Sequence, residues 1–204
     1  MKHTEPLEPS SYYHIYNRGI NGEVLFKDEG NYNFFLQKYD HYISPIADTY
    51  VYCLMGNHFH FLIRTKAEDK IVSFYTKSGK ENNKSVSSIM SYQFAHFFNG
   101  FTQAINKQSS RTGKLLELPF RRIVVDDDSY FSRLVYYIHA NPQLHGVVSS
   151  FRYYAHSSYQ SHLSTQPTKL MRDEVLAWFG GRAGYEKFHQ DNIDLQEITS
   201  LTLE

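Results

Sequence analysis

The chain has 204 residues, with 21 Lys and Arg against 21 Asp and Glu, and therefore a formal net charge of zero at pH 7. This length suffices for one substantial domain with its own core, and the single cysteine, Cys53, excludes an intrachain disulfide. The impossibility of a disulfide within the chain fits a reducing cytoplasm, and no apolar run is long enough to span a membrane. We therefore expect a cytoplasmic protein without a membrane partner.

The neutral average hides a basic central segment. Residues 64–122 carry eleven Lys and Arg against four Asp and Glu, a net charge of +7. Clustered basic residues can bind nucleic-acid phosphates, but a solvated protein face can carry the same charges. Charge alone does not decide between these two interpretations.

The N-terminal part of the chain predicts a strand followed by a helix. Alternating side chains favour a strand over residues 11–18, which an Asn-Arg-Gly turn ends. Asp28 is a suitable N-cap for a helix over residues 29–43, because the apolar residues that follow it recur at helical spacing.

A predicted β-hairpin carries two histidines on one face. Two β-rich runs, residues 49–55 and 58–65, are separated by a Gly-Asn dipeptide that is typical of a tight turn. Because strand side chains alternate between faces, His58, His60 and Leu62 share one face of the second run. Two neighbouring imidazoles make half of a divalent-metal site. The alternative is a surface strand whose polar positions happen to be histidine.

The rest of the chain predicts mostly helices around one more strand. An exposed polar loop over residues 78–85 comes first, and a helix over 87–107 and a strand over 120–125 follow it. The next helix runs from Ser129 to about Ala140, and Pro142 ends it. Short helices over 169–179 and 184–189 precede a loosely ordered last dozen residues. This order matches a split βαβ layout. The predicted fold class is α+β, with helices packed on one face of an antiparallel sheet and a small helical C-terminal extension.

The helix that starts near Ser129 carries a candidate nucleophile. Residues four apart share a helix face, so Arg133, Tyr137 and Asn141 point the same way. If this face meets the strand with the two histidines, the site gains a tyrosine hydroxyl and an amide oxygen together. Tyr136 is the competing tyrosine, rotated about 100° away. The alternative is that Tyr137 is a half-buried helix tyrosine with its hydroxyl in water.

Four ordered blocks of the sequence resemble one known family. The blocks are YHIYNRG at residues 13–19, GNHFHFLI at 56–63, RRIVVDDD at 121–128 and YIHANP at 137–142, and SSY at 157–159 is similar to a fifth. In this order they resemble the single-tyrosine HUH transposases, and most of all the REP-associated tyrosine transposases. The resemblance implies a ferredoxin-like HUH core over residues 1–164 and a helical extension over 165–204.

The same resemblance implies an endonuclease and strand transferase that acts on single-stranded DNA, often beside a hairpin. His58 and His60 would hold Mg²⁺ or Mn²⁺ with Asn141 as the third ligand. Tyr137 would attack the phosphorus and stay attached to the 5′ phosphate. A phenol with an ordinary pKa of about 10 needs help to lose its proton, and a water on the cation or His139 are the candidates.

Three arginines are the predicted contacts to DNA phosphates: Arg18 at the end of the first strand, and the adjacent pair Arg121 and Arg122. Adjacent residues of a strand point to opposite faces, so one of the pair should face away from the other two. The alternative is that all three are solvated surface arginines.

Two other functions stay open at this point. One is a non-catalytic protein that binds DNA hairpins, and the other is a metal-dependent hydrolase that uses water instead of a tyrosine. Only the tyrosine enzyme leaves a covalent protein–DNA adduct. Some relatives are dimers that share active-site residues between chains, so a homodimer is one assembly that the resemblance allows.

Overall fold

A four-stranded antiparallel sheet forms the centre of the protein. The computed structural model describes residues 5–79 and 84–191. The strands are β1 (Tyr12–Arg18), β2 (Ala47–Met55), β3 (His58–Thr65) and β4 (Arg121–Val124). Their order in the sheet is β2-β3-β1-β4, and each neighbouring pair is antiparallel. The predicted hairpin of β2 and β3 is confirmed.

Seven α-helices lie within the described residues. They are α1 (Glu29–Tyr42), α2 (Glu68–Lys77), α3 (Val86–Gln108), α4 (Asp128–Leu144), α5 (Tyr159–Leu163), α6 (Arg172–Trp178) and α7 (Arg182–Gln190). Asp28 caps α1 as predicted, because its carboxylate accepts a hydrogen bond from the Asn31 amide at 2.9 Å. None of these helices combines the length and the apolar character that a membrane span needs. Helices α2 and α5 were not predicted.

Helices cover both faces of the sheet, whereas the sequence predicted helices on one face only. Phe59, Phe61 and Ile63 of β3 pack into a cluster with α1 and α3. Leu62, on the opposite face of the same strand, packs into a second cluster with α4, α6 and α7. Both faces of β3 carry large buried side chains, so each needs a covering layer. The α+β class and the antiparallel sheet are confirmed.

Helix α4 continues past Pro142, where the sequence predicted its end. Proline removes one backbone donor, but the next turn finds acceptors beyond it. The His145 amide donates to the Asn141 carbonyl at 3.0 Å, and the Val147 amide donates to the Pro142 carbonyl at 2.8 Å. This extra turn puts His145 one turn beyond Asn141.

The C-terminal helices pack onto α4. Val175 of α6 and Tyr185 of α7 are fully buried in the cluster that contains α4. The two short helices predicted after residue 164 are therefore confirmed, and the domain division at that residue stays a prediction. The loosely ordered last dozen residues and residues 80–83 of the predicted loop over 78–85 lie outside the described residues.

Candidate active site

Strand β3 and helix α4 bring the four predicted site residues to one side of the sheet. The His58 Nε2 atom lies 2.9 Å from the Asn141 Oδ1 atom. The His60 ring lies 5.3 Å from the His58 ring, and the Tyr137 ring meets His60 edge-on with its centroid 5.5 Å away. Residues about eighty positions apart in the chain thus converge, and each pair shares a face as the strand alternation and the helix spacing predict. Their chemical roles stay predictions.

The surroundings of His58 suit a divalent cation. Its Nδ1 atom lies 2.7 Å from the Asn57 side-chain oxygen, and its Nε2 atom faces the Asn141 oxygen. A neutral imidazole can donate only one hydrogen bond, so both oxygens cannot be satisfied by one neutral ring. A second proton on the ring, or a cation beside Nε2, removes this conflict. Two ligands of an octahedral ion at 2.0–2.1 Å lie about 3 Å apart, close to the observed separation.

The side-chain amide of Asn141 would supply the third protein ligand of such a site. In the described ranges 5–79 and 84–191, no group of three His, Cys, Asp or Glu side chains could hold a metal ion. His58 and His60 would therefore need the Asn141 oxygen as their third protein ligand. Two imidazoles and one amide oxygen form a mixed nitrogen and oxygen set that fits a divalent cation with further positions for water or substrate.

His14 and Tyr16 belong to the site, although the sequence did not single them out. The His14 Nε2 atom lies 2.9 Å from the His60 Nδ1 atom, and both side chains are fully buried. Burial, and next to it the charge of His60, keep the pKa of His14 well below its usual value. The Tyr16 ring stacks on both imidazoles. The signal was present in the alternation of β1, but the contact depends on its register with β3.

Tyr137 is almost completely buried, at 3% exposure, and is therefore not the half-buried tyrosine of the alternative interpretation. The reason is the second helical layer, which places α4 against the sheet. Tyr136 points elsewhere, because its ring contacts Phe151 of the segment after α4 and Phe188 of α7. Only Tyr137 of this adjacent pair has a ring contact with His60 in the described structure.

His139 lies on the far side of α4 from Tyr137, which contradicts its candidacy as the base for that hydroxyl. Two positions along a helix correspond to a rotation of about 200°. His139 instead contacts His189 of α7 and the Ser158 hydroxyl, each at 2.9 Å. Burial is the main cause of its strongly lowered pKa, so this ring is neutral and structural.

A cleft of about 190 Å³ opens beside His58. Its lining residues are polar or basic: Tyr16, Asn17, Arg18, Asn57, His58, Arg121 and His145. Glu117 lies 3.5 Å from Arg18 and 3.4 Å from Arg121, and so it holds both guanidinium groups at the cleft. His145 was not predicted, and its ring centroid lies 5.0 Å from that of His58.

Arg122 lies on the opposite face of the sheet from this cleft. Its guanidinium sits over the Phe120 ring, 5.0 Å from the centroid, and donates a hydrogen bond to the Glu5 carbonyl. The predicted split of the adjacent arginines is therefore confirmed. A second groove, of about 790 Å³ between α1 and β2, contains none of the predicted site residues.

No protein-family model and no curated protein matches this sequence. Among solved structures, the fold is similar to one described as a REP-associated tyrosine transposase bound to a REP hairpin. The likeness has a TM-score of 0.58 at 12% identity, and covers 82% of this chain and 88% of that one. The chain therefore has the fold of a REP-associated tyrosine transposase, the family whose ordered motifs its sequence resembles.

Proposed function

We propose that this protein is a metal-dependent endonuclease and strand transferase of the transposase type, acting on single-stranded DNA beside a hairpin. The observation that carries the proposal is the convergence of Tyr137 with His60, and of Asn141 with His58, from two separate elements. The fold likeness to a transposase bound to a hairpin supports the choice of DNA as substrate. The basic cleft beside His58 offers a path for its backbone.

His58, His60 and Asn141 would hold Mg²⁺ or Mn²⁺. When bound, the cation would polarise a non-bridging oxygen of the scissile phosphate and offset the charge that develops there. The conflict between two oxygens around one imidazole supports a cation at the His58 Nε2 atom. Asn57 would then accept from Nδ1 and orient the ring, as partners of metal-bound histidines commonly do.

Tyr137 would supply the nucleophile. Its hydroxyl oxygen forms a bond to the 5′ phosphorus as the bond between that phosphorus and the 3′ oxygen breaks, and the phenol's proton ends on the released 3′ hydroxyl. The phosphodiester's energy is kept in the phosphotyrosine, so rejoining needs no ATP.

The test is a pair of matched variants, Tyr137→Phe and Tyr136→Phe. Each removes one hydroxyl from a largely buried tyrosine, at neighbouring positions of α4, so each should keep the fold and the binding of hairpin DNA. With Mg²⁺ or Mn²⁺ and a labelled oligonucleotide, a denaturing gel should show cleavage and a covalent adduct for the wild type and for Tyr136→Phe. Tyr137→Phe should show neither.

Other outcomes of this gel would select another function. An adduct that persists in Tyr137→Phe would move the nucleophile to another tyrosine, with Tyr136 and Tyr159 as the next candidates. Cleavage without any adduct would favour the hydrolase. A wild-type protein that binds the hairpin but never cleaves would favour the DNA-binding protein without catalysis.

A further inference from the structure

We infer that His14 is a positioning residue that sets which nitrogen of His60 is available to a cation. This rests on the proposed function, since it assumes that His60 is a ligand. The starting observation is the 2.9 Å contact between the His14 Nε2 and His60 Nδ1 atoms, deep in the protein. Both side chains have zero exposure, so water does not compete for this contact.

Each neutral ring carries one N–H, and only one of the two N–H groups can lie in the hydrogen bond between the rings. If His14 donates, the Nδ1 atom of His60 is the acceptor and its own proton is on Nε2, which then cannot bind a metal. If His60 donates from Nδ1, its Nε2 atom carries the lone pair that a cation requires. The direction of one buried hydrogen bond therefore decides whether His60 can be a ligand.

The surroundings of His14 leave both directions of this hydrogen bond open. Its other nitrogen, Nδ1, is buried and has no hydrogen-bond partner within the residues that the structure describes, so no second bond fixes either tautomer of His14. Tyr16 stacks on both rings, with interplanar angles of 22° to His14 and 16° to His60. The rings of His14 and His60 are inclined by 21° to each other, and the stacking with Tyr16 restricts their rotation.

The experiment compares two replacements of His14 by Mn²⁺ titration of the metal-free protein. Gln places an amide oxygen near the position of the Nε2 atom and can still accept from His60, whereas Leu fills the space without an acceptor. We expect His14→Leu to lower Mn²⁺ affinity by about 10- to 100-fold, as loss of such a partner typically does. His14→Gln should stay within a few-fold of the wild type.

The contrast between Gln and Leu separates positioning from packing. Circular dichroism and hairpin binding in EDTA should be unchanged in both variants, and a purely structural role would not divide them by metal affinity. Equal affinity of His14→Leu and wild type, or equal losses in both variants, would overturn the inference. The ¹⁵N shifts of the wild-type His60 ring give a second test that needs no variant. They should show the proton on Nδ1 without metal, and a proton on Nε2 would contradict the inference.

The variant His58→Ala tests the proposed metal site separately from the role of His14. If the wild type binds no Mn²⁺, or if His58→Ala binds it equally well, the proposed metal site is wrong and the role of His14 falls with it. If His58→Ala binds weakly while His14→Leu binds like the wild type, the metal site stands and only the inference about His14 is overturned.

Discussion

The two faces of the central sheet are built from alternate residues of the same strands but differ in chemistry. On one face, Phe59 and Phe61 of β3 join Phe35 of α1 in a buried cluster that contains many aromatic side chains. On the other face, His60 and Asn141 are fully buried beside apolar side chains. The first face carries none of the candidate site residues, whereas the second buries an imidazole and an amide, groups that burial disfavours.

This difference shows where the protein buries polar groups in spite of their desolvation cost. Buried polar groups are tolerated when they have partners, and the second face provides contacts such as His14 with His60 and His58 with Asn141. Side chains held this way keep a fixed geometry, which a reacting site needs. If the proposed function is correct, stability and chemistry are divided between opposite faces of one strand, and variants on each face should separate the two properties.

The largest expected effect on stability belongs to the hydrophobic face. Phe35 is fully buried, and its ring centroid lies within 5 Å of those of Phe59, Phe97 and Phe101. Phe35→Ala should lower the free energy of unfolding by about 3–5 kcal/mol, measured by urea denaturation. Phe34→Ala, at the adjacent partly buried position, should have a smaller effect. A changed cleavage rate per folded molecule in Phe35→Ala would argue against the division between faces.

The next effect is a dependence of stability on pH that arises on the α4 side. Burial is the main cause that lowers the pKa of His162 and of His189 to about 4. Between pH 6.5 and 4 the unfolded chain binds protons that the folded protein does not, so stability should fall as the pH falls through this window. The contribution that the two neutral histidines make to the free energy of unfolding is fully present above pH 6.5.

Replacing one of these histidines should flatten that dependence. His162→Leu removes one group, so its stability loss between pH 7.5 and pH 4.5 should be about 2–3 kcal/mol smaller than that of the wild type. Urea denaturation at the two pH values measures it. His96→Leu, at an exposed position of α3, is the matched control and should change nothing. Equal losses in the wild type and in His162→Leu would show that His162 is not kept neutral by the fold.

Local patterns correctly predicted which residues of the candidate site share a face. The alternation of β3 put His58 and His60 on one face, and the spacing of α4 put Tyr137 and Asn141 on another, because both periodicities depend only on neighbouring residues. The meeting of these two surfaces was a conditional expectation. Strand pairing and helix packing join residues far apart in sequence, and the four ordered motifs, rather than spacing, suggested that they meet.

The remaining parts depended on tertiary packing. The contact of His14 with His60 follows from the register that pairs Tyr16 with His60, which no local pattern gives. The burial of Tyr137 and the orientation of His139 follow from layers on both sides of α4. Helix α2 was missed because its buried face consists of only Ile71 and Tyr75, too short a stripe for a clear period.

The smallest effect, and the sharpest comparison of the two faces, concerns two adjacent arginines. Arg121 lies at the cleft with His58, with its guanidinium 5.9 Å from the Tyr16 ring centroid, whereas Arg122 lies on the hydrophobic face. If DNA follows the cleft, Arg121→Ala should weaken binding and reduce the slope of log affinity against log salt by about 0.7, the value for one contact to a single strand. Arg18→Ala should act in the same way.

Arg122→Ala should leave the slope unchanged, because its guanidinium sits over Phe120 and donates to the Glu5 carbonyl on the far face. Fluorescence anisotropy with a labelled hairpin that carries a single-stranded flank, in EDTA and over a series of salt concentrations, measures all three variants without cleavage. Both substitutions remove one positive charge from neighbouring positions of β4, so a general change of net charge would affect them equally. Equal slopes for Arg121→Ala and Arg122→Ala would therefore mean that the DNA does not distinguish the faces, and that the cleft beside His58 is not its binding surface.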